Sequence, residues 1–306
     1  MTQETADTFL ICPCTGRNLR YLTEAELIVV NSKINNSELF FYPGVTVEKP
    51  LSRALVTEHQ TYIYPVQNDI LFLKKETAIV TKNRTENYLK RISAEVITNF
   101  KSQYKFDQAT IIDEEVLSNC VLPISSDVIG TLRQYITKSS DVFLSMASES
   151  ADNIHNVAFN TESRSYVHAD FDLKRLQSIK GDLQKGTICV LCDLTALPFA
   201  GGSVDAMVSF DLINEYDKAT QKLAATEIKR VVNSKGSSVV LFNDSLPLFA
   251  ERQLKKDEMV KKAKVLMKPW KKVSSSTIHF HPINIPQKPS KSGTFVGKTS
   301  LKRQLF

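Results

Sequence analysis

The sequence predicts an α/β chain: a doubly wound, mainly parallel sheet with helices on both faces, preceded by a small β-rich module. Three observations carry this expectation. After residue 140 come the β-prone runs "DVFLSM", "SRSYVHADF", "GTICVLCDL", "VDAMVSFDLI" and "GSSVVLFND", with polar or helix-compatible segments between most of them. Strands alternating with helices argue a parallel sheet, because each parallel crossover needs a long connection, usually a helix. Before residue 76 the apolar runs are short and cut by Asn, Gly and Pro, which suits a ribbon-like module and is too little for a sandwich. The 306 residues are 42% hydrophobic and 24% charged, which supplies ample material for a core.

Taken in order, "LRYL", "ELIVVN", "ELFFYPGVTV" and "TYIYPVQNDILFLK" read as the strands of the first module, residues 1–76. The larger domain, 77–306, then opens with a helical lead-in over 77–140. From Thr85 to about Phe106, Tyr88, Leu89, Ile92, Val96, Ile97 and Phe100 fall near helical spacing, with Thr85 as the N-cap. A second helix is expected in "SSDVIGTLRQYI", capped by Ser126 or Asp127. The α/β core occupies 141–245. Its clearest helix is "ATQKLAATEIKRVVNSKG", where Leu223, Ile228, Val231 and Val232 form the apolar face and Gly236 is the natural stop. Residues 246–306 hold a basic helix and a β-prone tail, "STIHFHPIN" and "GTFVGKTSLKR", which reads either as a completion of the sheet or as an arm.

In an open parallel sheet, ligands bind beyond the carboxyl ends of the strands, at the point where the strand order reverses. That rule selects "SMASES", "HADFD", "CDLTALPF" and "FDLINEY". The run "CDLTALPFAGGSVDAMVSFDLINEY" with "EIKRVVNSKGSSVVLFND" resembles class I S-adenosylmethionine-dependent methyltransferases. Their string is an acid, Leu-Pro-Phe, a short turn, a strand, and a helix ending in Arg-Val-Leu before glycines. Asp193, Leu197, Pro198, Phe199, Ser203, Asp205, Val208, Arg230, Val231, Val232 and Gly236 match it. The resemblance implies a Rossmann-like methyltransferase sheet, S-adenosyl-L-methionine as cofactor, and methyl transfer to an acceptor it does not identify. The alternative is a catalytically inactive relative that keeps the fold and scaffolds or regulates a partner.

Site residues follow from the same resemblance. Asp170, with Asp172 in reserve, would take the ribose hydroxyls; it also reads as an N-cap, since "DFDLKRL" opens a predicted helix. Asp193 would meet the adenine amino group, with Leu194 supplying a backbone or apolar contact. Asp205 begins the fourth core strand, at the opposite end of the sheet, and reads as structural. In the first loop Ser145 falls where the family has an acid, Ala147 at the first glycine, Ser148 at the tolerant position and Glu149 at the second glycine. Glycine is used there so that backbone can approach the cofactor without a Cβ. Losing the acid removes a charge-assisted hydrogen bond, worth about 1.5–3 kcal/mol, so affinity should fall roughly tenfold to a hundredfold. Glu149 is the candidate to replace it. Asn214, Glu215 and Tyr216, after the fourth core strand, are the candidates for acceptor contact and catalysis. Methyl transfer needs alignment and exclusion of water, so no catalytic triad is expected.

"ICPCTGRNLRYL" followed by "YPVQNDILFL" is similar to the small zinc-ribbon-like platform proteins that bind and stabilise methyltransferases. Cys12, Pro13, Cys14, Gly16, Leu19, Tyr21, Tyr64, Pro65, Val66 and Ile70 match. The cysteines form C-x-C, however, and no second pair precedes residue 75, so the four soft ligands of a structural zinc site are not there. His59 is the other candidate ligand nearby. No zinc or other metal is expected, and Cys12 and Cys14 take a structural role. Without metal the module must lean on the larger domain, and Phe40, Phe41 and Tyr42 are candidate exposed contacts. Cys189 and Cys192 read as core residues.

The net charge of +6 is concentrated late, in "ERQLKKDEMVKKAKVLMKPWKK" and "SLKRQLF", which makes that segment a candidate contact for an anionic partner. The acceptor class stays open between RNA, protein and small molecule. Five cysteines without framework spacing suit a reducing, cytoplasmic setting, and no apolar run is long enough for a membrane helix.

Overall fold

The structure is a computed structural model that describes residues 8–81, 93–104, 133, 136, 139–148, 150–158, 162–209, 218–243, 277–283 and 294–300, with 139, 218, 240–243, 277–283 and 294–300 described by backbone alone. Its elements are β1 (Leu19–Tyr21), α1 (Glu24–Asn35), β2 (Phe40–Phe41), β3 (Ala54–Thr57), β4 (Tyr62–Gln67), β5 (Ile70–Leu73), β6 (Ile79–Val80) and α2 (Ala94–Gln103). Then come β7 (Ser139–Met146), α3 (Ala151–Ala158), β8 (Glu162–Asp170), α4 (Leu173–Lys180), β9 (Ile188–Cys192), β10 (Val204–Ser209), α5 (Lys218–Val231), β11 (Val232–Asn243), β12 (Thr277–Ile283) and β13 (Thr294–Ser300). The chain divides into two compact units. One comprises Met1–Leu117, Ile188–Asp193 and Pro198–Ala200; the other Ser118–Thr187, Leu194–Leu197 and Gly201–Phe306.

In the first unit β1, β3, β4 and β5 pair antiparallel in that order, while β9 joins β5 in parallel with Leu73 opposite Cys192. Tyr64, Leu55, Ile63, Ile70, Leu73 and Ile79 are fully buried there. Two expectations are corrected. "ELIVVN" is not a strand but the middle of α1. Thr23 accepts from the Glu26 amide at 3.3 Å, and the Glu26 carboxylate accepts from the Thr23 amide at 2.9 Å, a reciprocal capping box. That cap outweighs the few tenths of a kcal/mol per residue that β-branched side chains cost a helix. The helix buries Val30 and Ile34, one turn apart, and leaves Ile28 and Val29 exposed, so the apolar run was never a sheet face. Nor is Phe41 exposed: it is buried in its own unit, its ring 4.9 Å from that of Phe100 on α2. Inside the long helical window α2 begins after Ser93, whose hydroxyl accepts from the Val96 amide. Thr85 and the Ser126–Asp127 cap lie outside the described residues.

In the second unit the strand order is β8-β7-β10-β11-β13-β12. The first four run parallel, β13 is antiparallel to β11, and β12 is antiparallel to β13. The late β-prone runs therefore complete the sheet. Chain order reverses at β7, which has β8 on one side and β10 on the other; that is the switch point. Beneath it, Phe143, Ala206, Val208 and Val239 of the sheet form one core with Ala151, Ile154 and Val157 of α3. The face of α5 is Gln221, Ala224, Ala225, Ile228 and Val231, all buried, whereas the expected Leu223 is 55% exposed. Gly236 does not end this helix. It lies within β11, where a Cβ would stand 2.6 Å from the Asp205 carbonyl oxygen, so the glycine serves close backbone approach.

Candidate functional site

The candidate site lies at the carboxyl ends of β7, β8 and β10. β7 ends at Met146, and the next residue, Ala147, takes a left-handed backbone with φ +54°. Such a conformation costs a non-glycine residue about 1–2 kcal/mol. It persists here because the Ala147 amide donates to the Ala169 carbonyl at 3.1 Å, tying the turn to β8. Ser148 is buried and holds the rest of the turn: its hydroxyl donates to the Ser150 carbonyl at 2.9 Å and accepts from the Ser150 amide at 3.2 Å. α3 begins directly after it. The loop thus has the backbone conformation for which glycine is normally selected, built from alanine and serine. Glu149 lies outside the described residues.

Asp170 ends β8 and is fully buried. Arg175, in the first turn of α4, grips it in a fork: Nε donates to Oδ2 at 2.7 Å and Nη2 to Oδ1 at 2.8 Å. The Asp172 amide adds a third bond to Oδ1 at 2.9 Å. The guanidinium also lies over the Phe171 ring, 4.8 Å from its centroid. Burial raises the Asp170 pKa, and the arginine opposes that shift. Asp170 is not the helix N-cap; Asp172 is, accepting from the Lys174 and Arg175 amides at 2.8 and 3.2 Å. Arg175 was missed in the sequence. Its signal was an arginine one turn into the helix that follows an acid-ended strand.

Ser145 lies inside β7 opposite His168 of β8. Its hydroxyl meets His168 Nδ1 at 2.9 Å and donates to the Val167 carbonyl at 3.3 Å. The consistent arrangement has Nδ1–H donating to Ser145 and the Ser145 proton going to the carbonyl. His168 Nε2 is then a bare acceptor, buried without a partner among the described residues. Burial first, and the Arg175 charge second, lower the His168 pKa to about 3, so the ring is neutral. Ser209, the last residue of β10 and opposite Met146, is likewise buried, and its hydroxyl has no partner among the described residues.

The other expected site residues belong to one unit or the other, or lie outside the described residues. Asp193 follows β9 in the first unit, where Lys74 Nζ stands 3.5 Å from its carboxylate. Lys74 is buried, is 3.8 Å from Glu76, and Glu76 accepts from the Tyr104 hydroxyl at 2.6 Å. Leu194 is buried and belongs to the second unit. The Leu-Pro-Phe string has structural tasks. The Leu197 amide donates to Glu227 at 2.8 Å, Arg230 donates to the Leu197 carbonyl at 2.7 Å, and Arg230 pairs with Glu227. In the first unit, the Ile11 amide bonds the Pro198 carbonyl, and the Phe9 ring lies 6.3 Å from that of Phe199. Asp205 is structural too: it accepts from the Asp141 and Val142 amides at 2.8 and 3.0 Å. Cys189 and Cys192 are buried in β9. Asn214, Glu215, Tyr216 and the basic segment around Trp270 lie outside the described residues. Among the described residues no three His, Cys, Asp or Glu side chains converge as metal ligands.

Residues 149–240 match a protein family described as a methyltransferase domain. No curated protein matches the chain. Among solved structures it is similar to a chain from the complex of the Haloferax volcanii Trm112 methyltransferase activator with a candidate methyltransferase. That match is 11% identical with a TM-score of 0.43, and covers 57% of this chain and 88% of that one. It is also similar to Haemonchus contortus phosphoethanolamine N-methyltransferase 2, bound to phosphomonomethylethanolamine and S-adenosylhomocysteine. There the identity is 11%, the TM-score 0.45, and the coverage 66% of this chain and 59% of that one. A third is an S-adenosylmethionine-dependent methyltransferase of Aquifex aeolicus, 10% identical with a TM-score of 0.41, covering 56% and 88%.

Proposed function

We propose that the second unit binds S-adenosyl-L-methionine at the carboxyl ends of β7 and β8 and transfers its methyl group to an acceptor. The observation that carries this reading is the turn at Ala147, a left-handed residue kept at a cost, immediately after the switch-point strand. The family match over residues 149–240 starts within the same loop. The groups at the strand ends suit the ligand: the Ser148 backbone, a carboxylate at Asp170 for ribose hydroxyls, and at the tip of β10 the Ser209 hydroxyl, which has no partner among the described residues. When bound, the cofactor would supply an electrophilic sulfonium methyl. This chain's task would be to hold it in line with the acceptor and keep water out. Asp193 and Leu194 on the adenine, Glu149 on the ammonium group, and Asn214, Glu215 and Tyr216 toward the acceptor remain part of the proposal. So do the platform role of the first unit and an anionic partner for the basic C-terminal segment.

A second reading is favoured by one specific observation. Asp170 is fully buried and already accepts three hydrogen bonds, two of them from Arg175. A ribose can reach it only after Arg175 gives way. If Arg175 never does, the unit is a cofactor-free scaffold.

Calorimetry with S-adenosylhomocysteine separates the two. The expected result is saturable micromolar binding that Asp170→Asn abolishes and Arg175→Met strengthens. No heat at millimolar ligand, in both the wild type and Arg175→Met, would leave the scaffold reading.

A further inference from the structure

Helix α1 of the first unit has two apolar faces, and the fold uses one of them. Val30 and Ile34 are buried, with Leu27 half-buried beside them. On the opposite side lie Ala25, Ile28, Val29 and Ser32, all exposed, Ile28 at 71% and Val29 at 56%. Spacings of three and four residues put these side chains on one stripe. The other large apolar side chains exposed among the described residues, Val96 and Leu223, stand singly on α2 and α5. A single exposed apolar residue needs no explanation, whereas neighbouring ones on one stripe mark a contact surface. The residue types sharpen this. Branched at Cβ, Ile28 and Val29 lose side-chain freedom in a helix and are poorer helix formers than alanine or leucine. On a solvent-facing stripe they weaken α1 and gain nothing until another surface packs on them.

We propose that this stripe is the contact surface of a symmetric dimer, in which a second copy of the chain packs its own α1 antiparallel against it. The stripe itself identifies the occupant. A two-fold contact must be self-complementary, so that residue i meets residue j and j meets i. With the axis midway between Ile28 and Val29, Ala25 of one copy comes level with Ser32 of the other, and Ile28 with Val29. Small residues then meet small residues at both ends, and the four branched side chains form the middle layer. The small ends let the helix axes approach to about 8–10 Å, the spacing of packed helices. Charge follows the same symmetry. The first turn of α1 carries Glu24 and Glu26, and the last turn carries Lys33. Antiparallel pairing lays each acidic turn beside the other copy's Lys33 and opposes the helix dipoles, whereas parallel pairing sets acid beside acid. Glu26 already pairs with Arg20, so charge fixes the direction of the contact more than its strength. One helix of 12 residues buries less than the about 1,000 Å² of a stable interface. The dimer is therefore weak, with a dissociation constant on the order of 100 μM.

Sedimentation velocity of the full-length protein, over about a hundredfold range of concentration centred on that value, tests the proposal. The expected result is a shift from one copy to two that goes no further. Ile28→Glu should weaken association at least about tenfold, because a carboxylate enters an apolar layer without a countercharge. The same variant should keep the wild-type circular dichroism and urea midpoint, since the side chain it replaces is exposed. Lys33→Glu should weaken association about two- to fivefold. Benzoylphenylalanine in place of Lys33 should give, on irradiation, a covalent dimer whose cross-link maps to residues 22–26 of the other copy. A monomer at every concentration would overturn the proposal, as would a dimer that Ile28→Glu leaves intact. A cross-link joining position 33 of one copy to position 33 of the other would rule out the antiparallel pairing and with it the proposal. A lowered urea midpoint in Ile28→Glu at concentrations where the wild type is monomeric would also overturn it, because the chain's own residues would then cover the stripe.

Discussion

Asp170 and Asp193 make the most instructive pair of regions in this molecule. Both were selected from the sequence as acids after buried strands, and each faces a cation of its own chain. The resemblance ends there. Asp170 is fully buried and gripped at two points by Arg175, whereas the Asp193 side chain is 37% exposed and meets Lys74 through one 3.5 Å contact. A planar guanidinium five residues on, brought back by the first turn of α4, satisfies both carboxylate oxygens. An ammonium on a flexible stem satisfies one. The same residue type at equivalent strand ends is thus committed to the fold in one place and left partly available in the other.

The largest effect expected from this contrast is on stability. Asp170→Asn leaves the part-buried Arg175 without its countercharge and should cost about 2–4 kcal/mol. Urea denaturation measures it; a loss below about 1 kcal/mol would mean that Arg175 simply turns out to solvent, and that the clasp is loose enough for a ribose to open.

An intermediate effect should appear with pH. His168 has an ordinary pKa of 6.5 when unfolded and about 3 when buried beside Arg175. For a group whose folded pKa is depressed and whose neutral form is the native one, the contribution is intact above pH 6.5. It erodes as pH falls toward 3, by up to about 1.4 kcal/mol per pH unit. Comparing wild type with His168→Gln isolates this slope, because Asp170, whose folded pKa is raised, is present in both. Parallel stability curves from pH 7 to 5 would show that His168 is charged or solvated in the native state.

The smallest effect belongs to Asp193. With its side chain partly in solvent, Asp193→Asn should cost about 0–1 kcal/mol. A loss as large as that of Asp170→Asn would make the Lys74–Glu76–Asp193 cluster a structural core element and would remove Asp193 from the nucleotide proposal.

Several features were legible in the chain because they depend on local chemistry. β-prone apolar runs between polar or helix-compatible segments marked β7 through β11 and the two late strands, and the small polar "MASES" marked the first loop. Local signals were also misweighed. The Thr23–Glu26 capping box was written in "TEAE", yet the "LIVV" run beside it read as a strand. Gly236 looked like a helix stop because glycine after a helix usually is one, while its neighbour across the sheet, the Asp205 carbonyl, lies some thirty residues away in sequence.

By itself the sequence determined the α/β class, the switch-point loop and the acid at the end of β8, since each follows from the alternation of β-prone and helix-compatible segments and from strand-end composition. Only the tertiary structure decided what those residues are free to do. Arg175 occupies Asp170, His168 engages Ser145, and Glu227 with Arg230 clamps Leu197, because hydrogen-bonding capacity is finite and burial drives polar groups to find partners in space rather than along the chain.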